Sequence, residues 1–221
     1  ELAGGADAPI LVIPTAGEDS VFPADWNGLN GLKAAGATNL AVLHTGDRRL
    51  AESDSFVAPI RSARGVWFPG GRQWRLVDSY LGTQTETELH AVLARGGVIG
   101  GTSAGASILA SYMVRGAREG NAQMMAKGYE QGFGFLRRAA IDQHVVTRNR
   151  QDDLQQVLSS HPDLLGIGLD EGTALVVQGD HGEIIGRDKA FVHNGRDATD
   201  PGFPYRVLLP GDRFDLSPRR V

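Results

Sequence analysis

The sequence predicts an α/β fold, a three-layer αβα sandwich whose mostly parallel sheet is covered by helices on both faces. Three observations carry this expectation. Short runs such as PILVIP (residues 9–14), GVWF (65–68) and VIGG (98–101) are apolar throughout rather than alternating, as strands buried on both faces are. Segments with apolar residues at helical spacing separate them, giving the alternation of βαβ units. The chain of 221 residues, 41% apolar, is long enough to bury a sizeable core, so a single domain over residues 1–221 is expected.

In order, PILVIP is the first strand, and WNGLNGLKAAG (26–36) follows as a helix with Leu29, Leu32 and Ala35 on one face. NLAVLHT (39–45) is the next strand and GVWFPGG (65–71) the third. QWRLVDSYL (73–81) and TETELHAVLARGG (85–97) are helical, the second stopped by its glycines. VIGG is the fourth strand, and SILASYMV (107–114) continues a helix launched behind Ser103. AAIDQHVV (139–146) reads as a strand, RQDDLQQVLSSH (150–161) as a helix and LLGIGLDE (164–171) as another strand. TALVVQGDHGEIIGR (173–187) has the pattern of a hairpin turning at Gly179 to Gly182, so the tail is more antiparallel.

Composition excludes several functions. A net charge of −4 and a pI of about 5.9 leave no basic stripe for nucleic acid, so a peptide or small-molecule partner is expected. Without cysteine there is no disulfide, thiolate metal site or cysteine nucleophile, and the compartment stays open: cytoplasmic, or exported with its signal removed. No apolar run approaches the roughly 20 residues of a membrane helix, so a soluble chain without membrane partner is expected. No cluster has metal-ligand spacing, and neither metal nor cofactor is expected. The oligomeric state is open, a homodimer included.

In sheets of this class the ligand binds outside the carboxyl ends of the strands. Three polar clusters fall there: Gly70-Gly71-Arg72-Gln73, Thr102-Ser103, and Asp142-Gln143-His144 with Asp170-Glu171. Phosphate cradles and dinucleotide turns need a lysine or a G-x-G-x-x-G pattern that is missing here. Gly101-Thr102-Ser103-Ala104-Gly105 instead matches G-x-S-x-G, the strand-to-helix turn that exposes a nucleophilic serine. The amide of Ala104 opens the following helix and can donate to an oxyanion. Taken alone, the pattern also fits a small-residue turn packed against a strand.

A serine nucleophile needs a base, and the base an orienting acid. Of six histidines, His44, His90, His161, His181 and His193 read as surface or core residues, whereas His144 ends a strand within DQH. Glu171 ends the next strand, and Asp170 is its rival. Ser-His-acid order departs from that of α/β-hydrolases, which would require Asp142 or Asp170 with His181 or His193.

FPGGRQ, GGTSAGAS, IDQHVVTRNR and GIGLDEGTALVV, in this order, resemble the cyanophycinase branch of serine peptidases. These are relatives of the aspartyl dipeptidases on the class I glutamine-amidotransferase-like fold. The resemblance implies Ser103 as nucleophile, His144 as general base and Glu171 as orienting acid. It also implies an oxyanion hole at the amides near Gly71 and Ala104, and substrate contacts from Gln73, Gln143, Arg148 and Arg150. Its substrates are aspartyl peptides, often β-linked, and paired arginines suit their free carboxylate. Two solvated arginines near a helix start are the plain alternative.

Departures from the family pattern carry expectations too. Members begin with a further strand and glycine-rich turn before the segment matching Glu1 to Gly5, so the chain is expected to start one strand and helix in. The polymer-degrading members have an acidic residue where Arg72 stands and an arginine where Asp153 stands. Both charges are reversed here, which points to a changed leaving-group preference, with Asp153 close enough in sequence to pair with Arg150. An α-aspartyl dipeptidase, an esterase and a non-catalytic binding protein are the alternatives.

Overall fold

The computed structural model describes residues 1–194 and 203–216, whose contacts divide them into two compact units meeting at Leu109 and Ala110. The first unit is built on a four-stranded, all-parallel sheet of β1 (Ile10–Val12), β2 (Leu40–Val42), β3 (Gly65–Phe68) and β4 (Val98–Gly101), in the order β2-β1-β3-β4. The strand order reverses between β1 and β3, and in sheets of this class ligands bind beyond the carboxyl ends of the strands. The 26–36 helix is short, a 3-10 turn leading into α1 (Asn30–Ala34).

Two helices that the apolar periodicity did not reveal follow β2. In α2 (Arg48–Ala51) Asp47 caps the first turn by accepting from the Arg49 amide at 2.8 Å. In α3 (Asp54–Ser62) Ser53 accepts from the Phe56 amide at 3.3 Å, and Phe56, Val57 and Ile60 form the buried face. Pro59 inside α3 removes one helical hydrogen bond, and the buried face together with the Ser53 cap carries the helix past it. The expected helices α4 (Gln73–Tyr80) and α5 (Gln84–Ala94) are present, α5 packing on both α3 and β4.

One expectation is corrected. Behind Ser103 the helix is a single turn, α6 (Ala104–Ser107), and the chain then forms a strand, β5 (Ala110–Tyr112). SILASYMV is apolar enough to pack either way, and Ala110 and Tyr112 gain a parallel partner strand that a continued helix would forgo.

The second unit holds β5, β6 (Leu136–Gln143) and β7 (Leu165–Leu169) in parallel, extended by antiparallel β10 (Ala190–His193) and β11 (Tyr205–Leu208) in the order β11-β10-β7-β6-β5. The expected hairpin is β8 (Thr173–Gln178) with β9 (His181–Gly186), joined by β12 (Arg213–Asp215) into a separate antiparallel sheet. Helix α7 (Leu154–Ser160) buries Leu154 and Val157 against Tyr112, Val114, Met124, Ala140 and Leu164. Both units are thus α/β: the first sheet is all parallel, as the bare apolar runs predicted, and the second is mixed, parallel from β5 to β7 and antiparallel beyond, in keeping with the more antiparallel tail.

Candidate active site

In the first unit, Ser103 stands between β4 and α6 with φ 55° and ψ −120°, a conformation that L-residues rarely adopt. Glycines permit the turn. A Cβ on Gly105 would overlap the Phe68 carbonyl, and one on Gly101 would overlap that of Gly105, so α6 lies closer to β3 than any side chain there would allow. Beside the serine, a Cβ on Gly70 would come within 3.2 Å of the Ser103 Cβ and 3.6 Å of its Oγ. Gly71 has φ 142°, and a side chain there would strike the Ala16 carbonyl in the loop after β1. The Arg72 amide donates to that carbonyl at 2.8 Å, fixing the two loops together. Ala104 is the first residue of α6, so its amide has no intrahelical acceptor. Of the two residues expected to give oxyanion amides, Gly71 follows Gly70, which packs against Ser103, and Ala104 follows Ser103 directly.

Arg72 is half-buried and occupies the N-cap of α4, while Gln73, its first residue, is buried. The loop after β1 is tied to the core through Thr15, whose hydroxyl bonds Nδ1 of His44 at 2.8 Å and the Tyr80 hydroxyl at 2.6 Å. Burial pushes the Tyr80 phenol up to about 12 and lowers the pKa of His44, which keeps the structural role expected of it.

In the second unit, Gln143 and Leu169 are the last paired residues of the parallel strands β6 and β7, so His144 and Asp170-Glu171 leave the sheet at one edge. His144 turns sharply there with φ 58°, and its Nδ1 lies 3.0 Å from Glu171 Oε1. Asp170 is otherwise engaged. Its Oδ1 accepts from the amides of Val146 and Thr147 at 3.1 and 3.2 Å and faces the Thr147 hydroxyl at 3.3 Å, holding the loop behind His144. Of the two rival acids, Glu171 is the one at the imidazole.

Arg148 is exposed in that loop, its amide bonded to the His144 carbonyl at 3.0 Å. Arg150 is half-buried, and its NH1 atom is enclosed without a hydrogen-bond partner among the described residues, as is Oε1 of Gln143. Burial, followed by the charge of Arg115, lowers the Arg150 pKa against the pull of Asp142 and Asp153. A cation held in this way is stabilised by an incoming anion.

Arg115 was missed by the sequence reading, although a lone arginine in SYMVRGA and a lone acid in AAIDQ are each the kind of charge that needs a buried partner. Its guanidinium is 2% exposed and grips Asp142, 0% exposed, through Nε to Oδ1 at 2.8 Å and NH2 to Oδ2 at 2.7 Å. NH2 also meets Asp153 Oδ2 at 2.6 Å. Asp153 is therefore bonded to Arg115, not to Arg150 one turn away as its spacing suggested. The commitment of Asp142 to Arg115 also removes it as a triad acid, and His193, 1% exposed in β10, is a core histidine.

The parallel β-sheet flanked by helices defines the class as an α/β protein, and comparison with solved structures gives the class I glutamine-amidotransferase-like fold. The chain is similar to the crystal structure of a peptidase from an acI-B1 Actinobacterium, with TM-score 0.67 and 25% identity over 95% of this chain and 84% of that one. It shares its fold with a putative peptidase E of Listeria monocytogenes at TM-score 0.57, 17% identity, over 82% and 87% of the two chains. Residues 1–185 match peptidase family S51, and the chain belongs to that family. It is similar to the cyanophycinase of Geminocystis herdmanii, 32% identical over 230 residues, 96% of this chain and 84% of the relative. The cyanophycinase of Synechococcus elongatus is also 32% identical, over 99% of this chain and 73% of its own length.

Proposed function

We propose that this S51 peptidase is a serine exopeptidase or dipeptidase acting on aspartyl peptides, β-linked ones above all, through Ser103, His144 and Glu171. The observation that carries the reading is the backbone of Ser103, whose positive φ in a strand-to-helix turn is the nucleophile-elbow conformation. The 3.0 Å contact of His144 with Glu171 supports it. A carboxylate only accepts, so the proton of the imidazole sits on Nδ1 and Nε2 is left as the base. In the proposed reaction Nε2 takes the Ser103 hydroxyl proton as Oγ attacks the scissile carbonyl. The amides of Gly71 and Ala104 hold the oxyanion, His144 returns the proton to the leaving amine, and water then hydrolyses the acyl-enzyme by the same route. Arg148, Arg150, Gln143 and Gln73 hold the aspartyl residue, its free carboxylate meeting the enclosed NH1 of Arg150.

Labelling with an active-site serine phosphonate, followed by mass mapping, tests this mechanism. Modification of Ser103 is expected, and an unlabelled, folded protein sinks the enzyme reading in favour of a binding protein. The leaving-group preference rests on Arg72, a cation one residue beyond the proposed oxyanion amide. Asp153, already bonded to Arg115, is poorly disposed to offset it. Arginine leaving groups are therefore disfavoured, and β-Asp-Leu is the better substrate. Comparing kcat/KM for β-Asp-Arg, β-Asp-Leu and α-Asp-Leu in the wild type and in Arg72→Asp checks this, because equal ratios in both proteins would remove Arg72 from specificity.

A further inference from the structure

We propose that Arg115 is a positioning residue, a single guanidinium that clasps both feet of the loop bearing His144, Arg148 and Arg150. One foot is Asp142, two residues before His144 and held by the fork of Nε and NH2. The other is Asp153, three residues after Arg150 and held by NH2. Asp142 Oδ1 also accepts the Gln143 amide at 2.9 Å, and NH1 of Arg115 donates to the Asn121 carbonyl at 2.8 Å, so every arm of the guanidinium is used.

Between these feet the loop is folded on itself. The Arg150 amide bonds the Val145 carbonyl at 2.6 Å, the Asp153 amide bonds the Arg150 carbonyl at 3.1 Å, and Asp170 pins the middle. With both ends fixed to one rigid, planar group, the loop has little freedom to rotate, and His144 and Arg150 keep their spacing within it. Packing alone does not need this arrangement. A buried ion pair is weak as a stabiliser, since desolvation offsets most of its attraction, but its forked geometry admits one arrangement of its partners. The Asp142 foot controls His144 and therefore turnover, and the Asp153 foot controls Arg148 and Arg150 and therefore substrate binding.

The kinetic side of this proposal rests on the peptidase reading, whereas the clasp itself is read without substrate. Asp153→Ala removes one foot at a side chain that is 40% exposed and leaves the Arg115–Asp142 fork intact. Arg115→Lys keeps the charge and loses the fork. Amide hydrogen exchange should show the Arg148 and Arg150 amides losing protection by about tenfold in Asp153→Ala while Ile141 in β6 stays protected. With a β-Asp-Leu substrate, Asp153→Ala should raise KM about tenfold with kcat within about twofold, a misplacement of binding groups rather than of the base. Arg115→Lys should lower kcat and shift the acid limb of the kcat/KM pH profile. Unchanged exchange in Asp153→Ala overturns the clasp, and so do variants that melt earlier with kcat, KM and pH profile as in the wild type. A wild type that cleaves none of the peptides sinks the peptidase reading instead, and the exchange result then judges the clasp alone.

Discussion

Ser103 and His144 share an unusual property: each takes a positive φ, where a non-glycine residue needs support from what surrounds it. In Ser103 that support comes from Gly101, Gly105 and Gly70, and in His144 from the loop that Asp170 and Arg115 hold. If these residues act as a unit, Ser103→Ala and His144→Ala should each lower kcat by roughly six orders of magnitude, and Glu171→Gln by roughly four, with melting temperatures retained. Steady-state kinetics decide it, and near-normal turnover in Glu171→Gln would return the acid role to Asp170. His193 gives a pH prediction. Burial depresses its pKa from 6.5 to about 4, so the unfolded chain binds the extra proton between those values. Stability from this group is complete above 6.5 and falls as pH drops through about 4, by about 3 kcal/mol in all. Urea unfolding of wild type and His193→Leu at pH 7 and pH 4 should show a shallower acid loss in the variant, and parallel curves would refute it.

Among the elements, β4 and α6 are the pair on which the serine turn depends. Gly105→Ala would push a methyl group into the Phe68 carbonyl, so α6 must retreat from β3, costing on the order of 1–3 kcal/mol and displacing Ser103. Thermal melts with phosphonate labelling check it: both stability and labelling should fall, whereas Gly31→Ala in α1, where a Cβ meets nothing within 4 Å and alanine is the better helix former, should lower neither. The strands of this region were legible because uninterrupted apolar runs have few alternatives in an α/β chain. Helices α2 and α3 were not, since α2 is a single turn and α3 carries Pro59, which reads as a breaker, while its Ser53 cap and its Phe56, Val57 and Ile60 face were overlooked. The helix expected through Tyr112 failed for another reason. Its residues suit helix and strand alike, and pairing with β6, distant in sequence, decided the outcome. Ser103, His144 and Glu171 were legible because glycines and strand ends mark them. Arg115 was not, because its partners Asp142 and Asp153 lie 27 and 38 residues away.

For the whole chain, composition predicts how the activity responds to its surroundings. Among the described residues no group of three His, Cys, Asp or Glu is arranged to hold a metal, and the proposed chemistry uses only the serine, the imidazole and backbone amides. Prolonged dialysis against EDTA should therefore leave kcat/KM unchanged, and loss restored by zinc would overturn the mechanism. With no cysteine, thiol reagents should be equally without effect. The placing of Asp170 and Glu171 as consecutive residues has a further consequence, for tolerance to insertion and deletion. One holds the loop and the other holds the imidazole, so a shift of a single residue at the end of β7 would exchange their duties and leave neither side chain the right length. The β7 terminus should thus be among the least length-tolerant points of the gene product, while the Gly179–Asp180 turn, where the hairpin reverses and a Cβ on the glycine meets nothing, should accept added residues freely.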